Sequence, residues 1–321
     1  MSELVGIARM AAASPQLKAK RRVQYFELPA RSYLARCDNP RLPFRWTINP
    51  YRGCEFGCKY CYARYTHEFM ELRDPDEFER KIFAKEFDAA RFLAELRRLP
   101  QGESVALGTA TDPYQPAERR YRVTRRMLEA FASVSGLRLG ITTKSDLVVR
   151  DIDLLQQIAR RNYLMIAITV TTVDAHLARL LEPMAPRPDL RLGAVRELSR
   201  AGLRTMVSCA PLLPLINDSE AELDGLARAA AQAGASRLWA NVLFLKPCAW
   251  AVFLPFLERE FPALVRRYRE RFENSAYLRG AYPEVIRERM DRIRRRHGLD
   301  RNDPAPEPEL WPHDAQLALF P

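Results

Sequence analysis

No apolar run in this 321-residue chain approaches the length needed to cross a bilayer, so the sequence predicts no membrane span. The opening stretch Leu4–Ala13 is mildly apolar, but Arg9 interrupts it and its basic run, Lys18–Arg22, follows rather than precedes it. That order is the reverse of a secretory leader. Cysteine is scarce, six in all, and unevenly placed: three crowd into eight residues while Cys37, Cys209 and Cys248 stand alone. A disulfide framework would spread its cysteines through a small, loop-rich secreted domain. The crowding points instead to a metal and a reducing, cytoplasmic setting. No internal repeat is visible. Carboxylates are short against the bases, 40 to 51, which leaves a net charge of +11 and a pI near 9.6. Such an excess favours a polyanionic partner, nucleic acid above all, although it says nothing about specificity. Part of it is solvated helix surface, because many arginines sit beside glutamates.

Residues 1–45 are basic and proline-punctuated, and read as an N-terminal arm with one short strand around Val23–Leu28. From Trp46 to Leu245 short apolar runs alternate with amphipathic stretches. The runs predict strands over Trp46–Asn49, Lys81–Lys85, Val105–Thr109, Leu137–Thr143, Met165–Thr171, Arg204–Ala210 and Leu238–Leu245. The amphipathic stretches predict helices near Asp88–Leu99, Arg119–Ser133, Ile152–Arg161, Leu190–Ala201 and Glu220–Ala233. Strand–helix alternation with buried, β-branched strands is the signature of a parallel α/β fold. Five or six such units are too few for a closed eight-fold barrel, so an open or partial barrel over 46–245 is expected. Residues 246–298 read as a helical extension broken at Pro255, Pro262 and Pro283. Residues 299–321 read as a proline-rich linker ending in a short apolar tag.

The informative segment is Asn49-Pro50-Tyr51-Arg52-Gly53-Cys54-Glu55-Phe56-Gly57-Cys58-Lys59-Tyr60-Cys61-Tyr62-Ala63-Arg64. It follows the first expected barrel strand, and so hangs at the strands' carboxyl ends, where such folds build their sites. Three thiolates in eight residues can hold three corners of a 4Fe-4S cubane and leave one iron without a protein ligand. The amino and carboxylate groups of S-adenosylmethionine can chelate that iron. An electron from the cluster then breaks a carbon–sulfur bond to give a deoxyadenosyl radical. The plainer alternative is structural zinc, with His67 as a fourth ligand. A closed zinc site, however, usually pairs two short cysteine spacings, and no second pair exists here. The C-x3-C-x2-C spacing with an aromatic residue before the last cysteine favours the cluster.

From Asn49 to Glu71 the chain resembles the branch of the radical S-adenosylmethionine superfamily related to spore photoproduct lyase, the DNA repair photolyase-like proteins. The likeness continues in Gly108-Thr109-Ala110-Thr111-Asp112-Pro113-Tyr114-Gln115-Pro116, in Thr142-Thr143-Lys144 and in Glu182-Pro183, and spans roughly residues 35–245. It implies a partial (β/α)6 barrel, a 4Fe-4S cluster on Cys54, Cys58 and Cys61, and S-adenosylmethionine. By the same resemblance, Thr111 and Asp112 lie near the methionine moiety, Lys144 meets its carboxylate, and Thr169 or Thr171 supplies a hydroxyl. A lysine ammonium suits a carboxylate, and strand-end hydroxyls suit an ammonium or a ribose. Tyr60 and Tyr62 resemble the lyase's hydrogen-passing tyrosine pair, or else simply shield the cluster from water. One departure stands out. The lyase's hydrogen-donating cysteine lies just before its Ser-Asp pair, and that place here is Ala110. Cys209, on a strand end before Ala210-Pro211, is the nearest alternative donor by topology, although a buried free cysteine is commonly just core.

Arg287, Arg289, Arg292 and Arg294–Arg296 crowd one helical segment, with Arg266, Arg267, Arg269 and Arg271 before it. They suit phosphates, or equally Glu–Arg pairs one turn apart. The tag Gln316-Leu317-Ala318-Leu319-Phe320 looks like the peptide by which bacterial repair proteins dock on the sliding clamp. Gln316 would bond a pocket rim, while Leu317, Leu319 and Phe320 are apolar. The expected activity is hydrogen abstraction from a damaged or modified nucleic-acid base, DNA favoured, with an external electron donor. The alternatives are radical modification of RNA, a peptide or a metabolite, and a nucleic-acid-binding protein with a structural or redox cluster.

Overall fold

The computed structural model describes residues 4–300 apart from 20–22, 41 and 273. In chain order its strands are β1 (Gln16–Ala19), β2 (Gln24–Leu28), β3 (Leu34–Arg36), β4 (Trp46–Ile48), β5 (Tyr51–Arg52), β6 (Lys81–Lys85), β7 (Ser104–Leu107), β8 (Arg138–Thr143), β9 (Tyr163–Thr169), β10 (Thr205–Leu212) and β11 (Arg237–Val242). Seven of them form one sheet in the order β11-β10-β9-β8-β7-β4-β3. Its neighbours from β4 to β11 are all parallel, and β3 adds antiparallel to β4. Six parallel strands with helices between them make the open (β/α)6 barrel wall that the alternation predicts.

Side chains alternate cleanly across this wall. Val105 and Leu107, Leu139 and Ile141, Ile166 and Ile168, and Val207 all join the main core. They share it with Leu128, Phe131, Leu155, Val195, Leu198 and Leu226 of the covering helices. The opposite, concave face carries Ala106, Gly140, Thr142, Ala167 and Ser208, which are small. A Cβ built on Gly140 would meet nothing within 4 Å. These positions therefore contribute little side-chain bulk to the inside of the wall.

Four expectations need correction. Lys81–Lys85 is a strand, but not of the barrel: it lies in a second sheet, β1-β2-β6-β5, parallel to β2 and antiparallel to β5. Its buried run Ile82-Phe83-Ala84 looks the same in sequence whichever sheet receives it. Residues 1–45 carry more than one strand, with a helix at Gly6–Ala13 and three strands, one of which edges the barrel sheet. The stretch expected as one helix over Arg119–Ser133 is two, Glu118–Tyr121 and Val123–Phe131, separated by Arg122 at φ +52°. The buried Glu118 carboxylate accepts from Thr124 N (2.9 Å) and Arg125 N (3.1 Å), capping the second helix from outside it. Pro255 does not break its helix, which runs through Pro247–Glu260, whereas Pro262 and Pro283 do sit at helix starts.

The extension packs onto the barrel. Ile286, Met290 and Ile293 of helix Tyr282–His297 enter the main core. Its arginines are largely engaged internally. Arg289 donates to Asp218 O, Arg294 donates to Leu238 O (2.8 Å) and pairs with Asp291, and Arg296 and His297 both reach Asp224 (2.7 and 2.9 Å). Pairs one turn apart account for Arg287 with Glu284 and Arg294 with Asp291, while the other contacts reach across to neighbouring elements. Beyond it, Leu299 O accepts from Leu238 N at 3.1 Å, so the first linker residues still pair with β11. Gln316, Leu317, Leu319 and Phe320 lie outside the described residues.

Candidate active site

The cysteine loop leaves β5 at the carboxyl end of β4 and is held from three sides. Gly53 sits at φ +81°, and a Cβ there would lie 2.7 Å from Lys81 O and 2.8 Å from Phe78 O. Only glycine lets the chain pass this close to the small sheet while turning left-handed. Cys54 N donates to Phe78 O (2.9 Å), Lys59 N to Leu181 O (2.9 Å) and Cys61 N to Cys58 O (3.2 Å). From beneath, the loop after β7 locks in. Gln115, fully buried, accepts from Glu55 N (3.0 Å) and donates to Gly53 O (3.0 Å) and Thr111 Oγ1 (2.9 Å). Asn49 Oδ1 accepts from Ala110 N at 2.7 Å. Gly108, at φ +91°, allows Pro113 and Thr142 O to approach where a Cβ would stand 2.6 Å from each.

Asp112 and Thr111 reach the site but are occupied there. Asp112 accepts from Tyr114 N (2.9 Å), Thr143 Oγ1 (2.6 Å) and Lys144 N (2.7 Å), so it fixes the turn that presents Lys144. Thr111 Oγ1 donates to Gly53 O at 2.6 Å. Both help to position the site.

Lys144 is a part-buried cation of the site. Its Nζ lies 3.9 Å from Glu182 Oε1 and 5.7 Å from the Tyr60 ring centroid. Burial alone would lower its pKa, but the Cys58 thiol and Glu182 outweigh that and raise it, so it stays charged. Glu182 is the hub: it accepts from Tyr60 Oη and from Thr171 Oγ1 (3.2 Å), and pairs with Arg191 at 2.5 Å. Its ionisation survives complete burial because Arg191 and Lys144 hold its pKa below the ordinary value. Arg191 in turn donates to Thr169 O (3.1 Å) and Pro186 O (2.7 Å). Tyr62 Oη donates to Thr109 O, and its ring lies 4.9 Å from Phe244.

Cys54, Cys58 and Cys61 are free thiols gathered by this one loop. Burial pushes the Cys58 thiol up to about 12 against the pull of Lys144, and pushes Cys54 up as well. A metal that coordinates such thiols removes their protons outright. Among the described residues no three His, Cys, Asp or Glu side chains close round a single ion. His67, the candidate fourth zinc ligand, is turned away: its Nε2 bonds Lys81 O at 3.0 Å and its ring packs on Phe78 and Phe83. Three thiols on one loop with no fourth donor fit a cubane with one open iron, and do not fit a closed zinc site.

Thr169 ends β9 on the concave side, opposite in phase to Ile168, and Thr171 follows it, buried against Glu182. Cys209 is placed otherwise. It alternates with Val207 on the helix-facing side of β10, is fully buried in the main core and donates to Thr171 O at 3.6 Å. Burial raises its thiol to about 12. As a hydrogen donor into the cavity it is corrected to a core residue, because strand phase, not topology, decides which way a side chain faces. The sequence alone assigns no role to Gln115 and Glu182, although both stand in the matched motifs, nor to Arg191. Arg191 did leave a signal: it stands in the apolar stripe with Ala194, Val195 and Leu198, where a charge needs a buried partner.

Comparison places this geometry. The Radical SAM superfamily matches residues 48–227, more than half of the chain, and the chain belongs to that superfamily. Proteins of the superfamily use a 4Fe-4S cluster and S-adenosylmethionine. An uncharacterized protein of Mycobacterium tuberculosis is 36% identical over 320 residues, covering 98% of this chain and 93% of its own. An uncharacterized protein of Methanocaldococcus jannaschii is 26% identical over 206 residues, 64% of this chain and 70% of its own. Among solved structures, a spore photoproduct lyase mutant superposes with a TM-score of 0.66 at 16% identity, over 85% of this chain and 79% of that one. A second lyase mutant, bound to AdoMet and a dinucleoside spore photoproduct, superposes at 0.63 and 15% identity with the same coverage. At those identities the likeness establishes the fold.

Proposed function

We propose that this radical S-adenosylmethionine enzyme abstracts hydrogen from a damaged or modified base of a nucleic acid, DNA before RNA. The observation that carries the reading is the open concave wall. Small side chains, Ala106, Gly140, Ala167 and Ser208, line its concave face, and a Cβ at Gly140 would meet nothing within 4 Å. The relatives with the same architecture include a lyase whose solved form holds AdoMet and a dinucleoside, and the chain's net charge of +11 suits a phosphodiester. When bound, the cluster and S-adenosylmethionine supply a deoxyadenosyl radical. Cys54, Cys58 and Cys61 would hold the cluster. Lys144 would exchange its 3.9 Å contact with Glu182 for the methionine carboxylate, while Thr169 or Thr171 would supply a hydroxyl. Tyr62 and Tyr60 wall the loop from water, their phenols tied to Thr109 O and Glu182. Ala110, in the place of the lyase's donating cysteine, offers no hydrogen atom to return to a product.

The test is anaerobic reconstitution with iron and sulfide, S-adenosylmethionine, a strong reductant and UV-irradiated or otherwise damaged DNA. Mass spectrometry should find deoxyadenosine and an altered base. Deoxyadenosine without any change in DNA would move the substrate to RNA, a peptide or a metabolite. No deoxyadenosine at all would leave a structural or redox cluster.

The tag Gln316–Phe320 is proposed as a sliding-clamp ligand. Removing everything after Ala315 should abolish micromolar binding to the clamp of the source organism, and equal binding by both forms would reject it.

A further inference from the structure

The aromatic residues beside the cysteine loop continue outward to the protein surface. Tyr62 lies 4.9 Å from Phe244, and Phe244 lies 5.4 Å from Tyr277 with the two rings only 17° apart. Backbone contacts hold this ladder in place: Phe244 forms an antiparallel bridge with Tyr277, and Leu245 N donates to Ala276 O at 2.8 Å. Tyr277 ends it with 61% of its surface exposed. The loop that carries Tyr277 also lines a cavity of about 340 Å3 with Arg271, Asn274, Ser275, Glu270 and Arg279. Glu270 pairs with Arg266 (3.8 Å), and Arg271 stands 5.4 Å over the Tyr282 ring. Neither Arg271 nor Arg279 has a carboxylate partner among the described residues, in contrast to Arg287, Arg294 and Arg296 of the following helix. An exposed ring beside guanidinium groups with no carboxylate partner among the described residues matches what a single nucleic-acid strand needs: a face for a base and cations for its phosphates.

We propose that Tyr277, Arg271 and Arg279 form a track for a nucleic-acid strand entering the active site, with a base stacked on Tyr277 and flanking phosphates on the two arginines. The track rests on the nucleic-acid reading above, and extends it to a surface outside the barrel. Its position on the Tyr62–Phe244 ladder puts a bound strand in line with the cysteine loop. The arginines contact backbone and the ring accepts any base, so the track gives affinity without sequence preference.

The test is fluorescence anisotropy of reconstituted protein with a short labelled single strand, as DNA and as RNA, across a range of salt. Tyr277→Ala should weaken binding about tenfold, and Tyr277→Phe should restore it. Arg271→Ala and Arg279→Ala should each flatten the slope of log affinity against log salt by about 0.7. Arg196→Ala, which removes an exposed charge from the outer helix Pro188–Arg200, should leave both affinity and slope unchanged. Thermal melting of each variant controls for folding. If the wild type binds strands while Tyr277→Ala matches it, or while the cavity arginines behave as Arg196 does, the track is overturned and the nucleic-acid reading stands. If no strand binds the wild type, both fall.

Discussion

Lys144 Nζ lies 3.9 Å from Glu182 Oε1, and that carboxylate also holds Tyr60 and Arg191. One buried anion thus orients a cation beside the cysteine loop and a phenol within it. Lys144→Ala should weaken S-adenosylmethionine binding about tenfold or more, by roughly 1.5–3 kcal/mol, while iron content stays the same. Equilibrium binding measured beside iron analysis checks it. An unchanged dissociation constant would take Lys144 out of the cofactor site.

Glu182→Gln should cost more in stability than in cofactor binding, because it leaves Arg191, with 1% of its side chain exposed, as an unpaired buried charge. Breaking such a pair typically costs about 3–5 kcal/mol. Denaturant titration should show the loss, and a variant as stable as wild type would mean that water reaches Arg191.

Cys54→Ala, Cys58→Ala and Cys61→Ala should each abolish deoxyadenosine formation, whereas Cys37→Ala and Cys248→Ala should be nearly silent. Wild type prepared without oxygen should carry about four irons per chain with a broad thiolate-to-iron absorption. Zinc as the sole metal would contradict the cluster assignment.

Gln115→Ala should destabilise the protein by about 1–3 kcal/mol, since Glu55 N and Gly53 O lose buried partners. It should also shed iron faster, because the loop carrying Cys54 loses its brace. Denaturation and iron-release rates measured together separate this from a general loss of folding.

Burial lowers the pKa of His67 from 6.5 to about 4, opposed only by its bond to Lys81 O. The unfolded chain therefore binds more protons than the folded one between those values, and stability must fall as pH drops through that window. The shift corresponds to at most about 3 kcal/mol. In urea titrations at pH 7 and pH 4.5, His67→Leu should lose less stability between the two than wild type does. Equal losses would mean that His67 protonates without unfolding.

Local pattern was enough for much of this molecule. The spacing of Cys54, Cys58 and Cys61 indicated a cluster with one open iron, because ligand number and spacing within a single loop are properties of the chain itself. Strand–helix alternation after Trp46 indicates the open parallel wall, because parallel neighbours must be joined by a crossover, usually a helix. Which sheet received Lys81–Lys85, however, was settled by its pairing with Tyr51–Arg52 and Gln24–Leu28, partners distant in sequence. Cys209 turned to the core rather than the cavity because strand phase at its position was set by neighbouring strands. The brace of Gln115 under the cysteine loop and the Glu182–Arg191 pair beside Lys144 likewise arose from packing. A buried polar group must find whatever partner the fold brings near, and no spacing along the chain names that partner in advance.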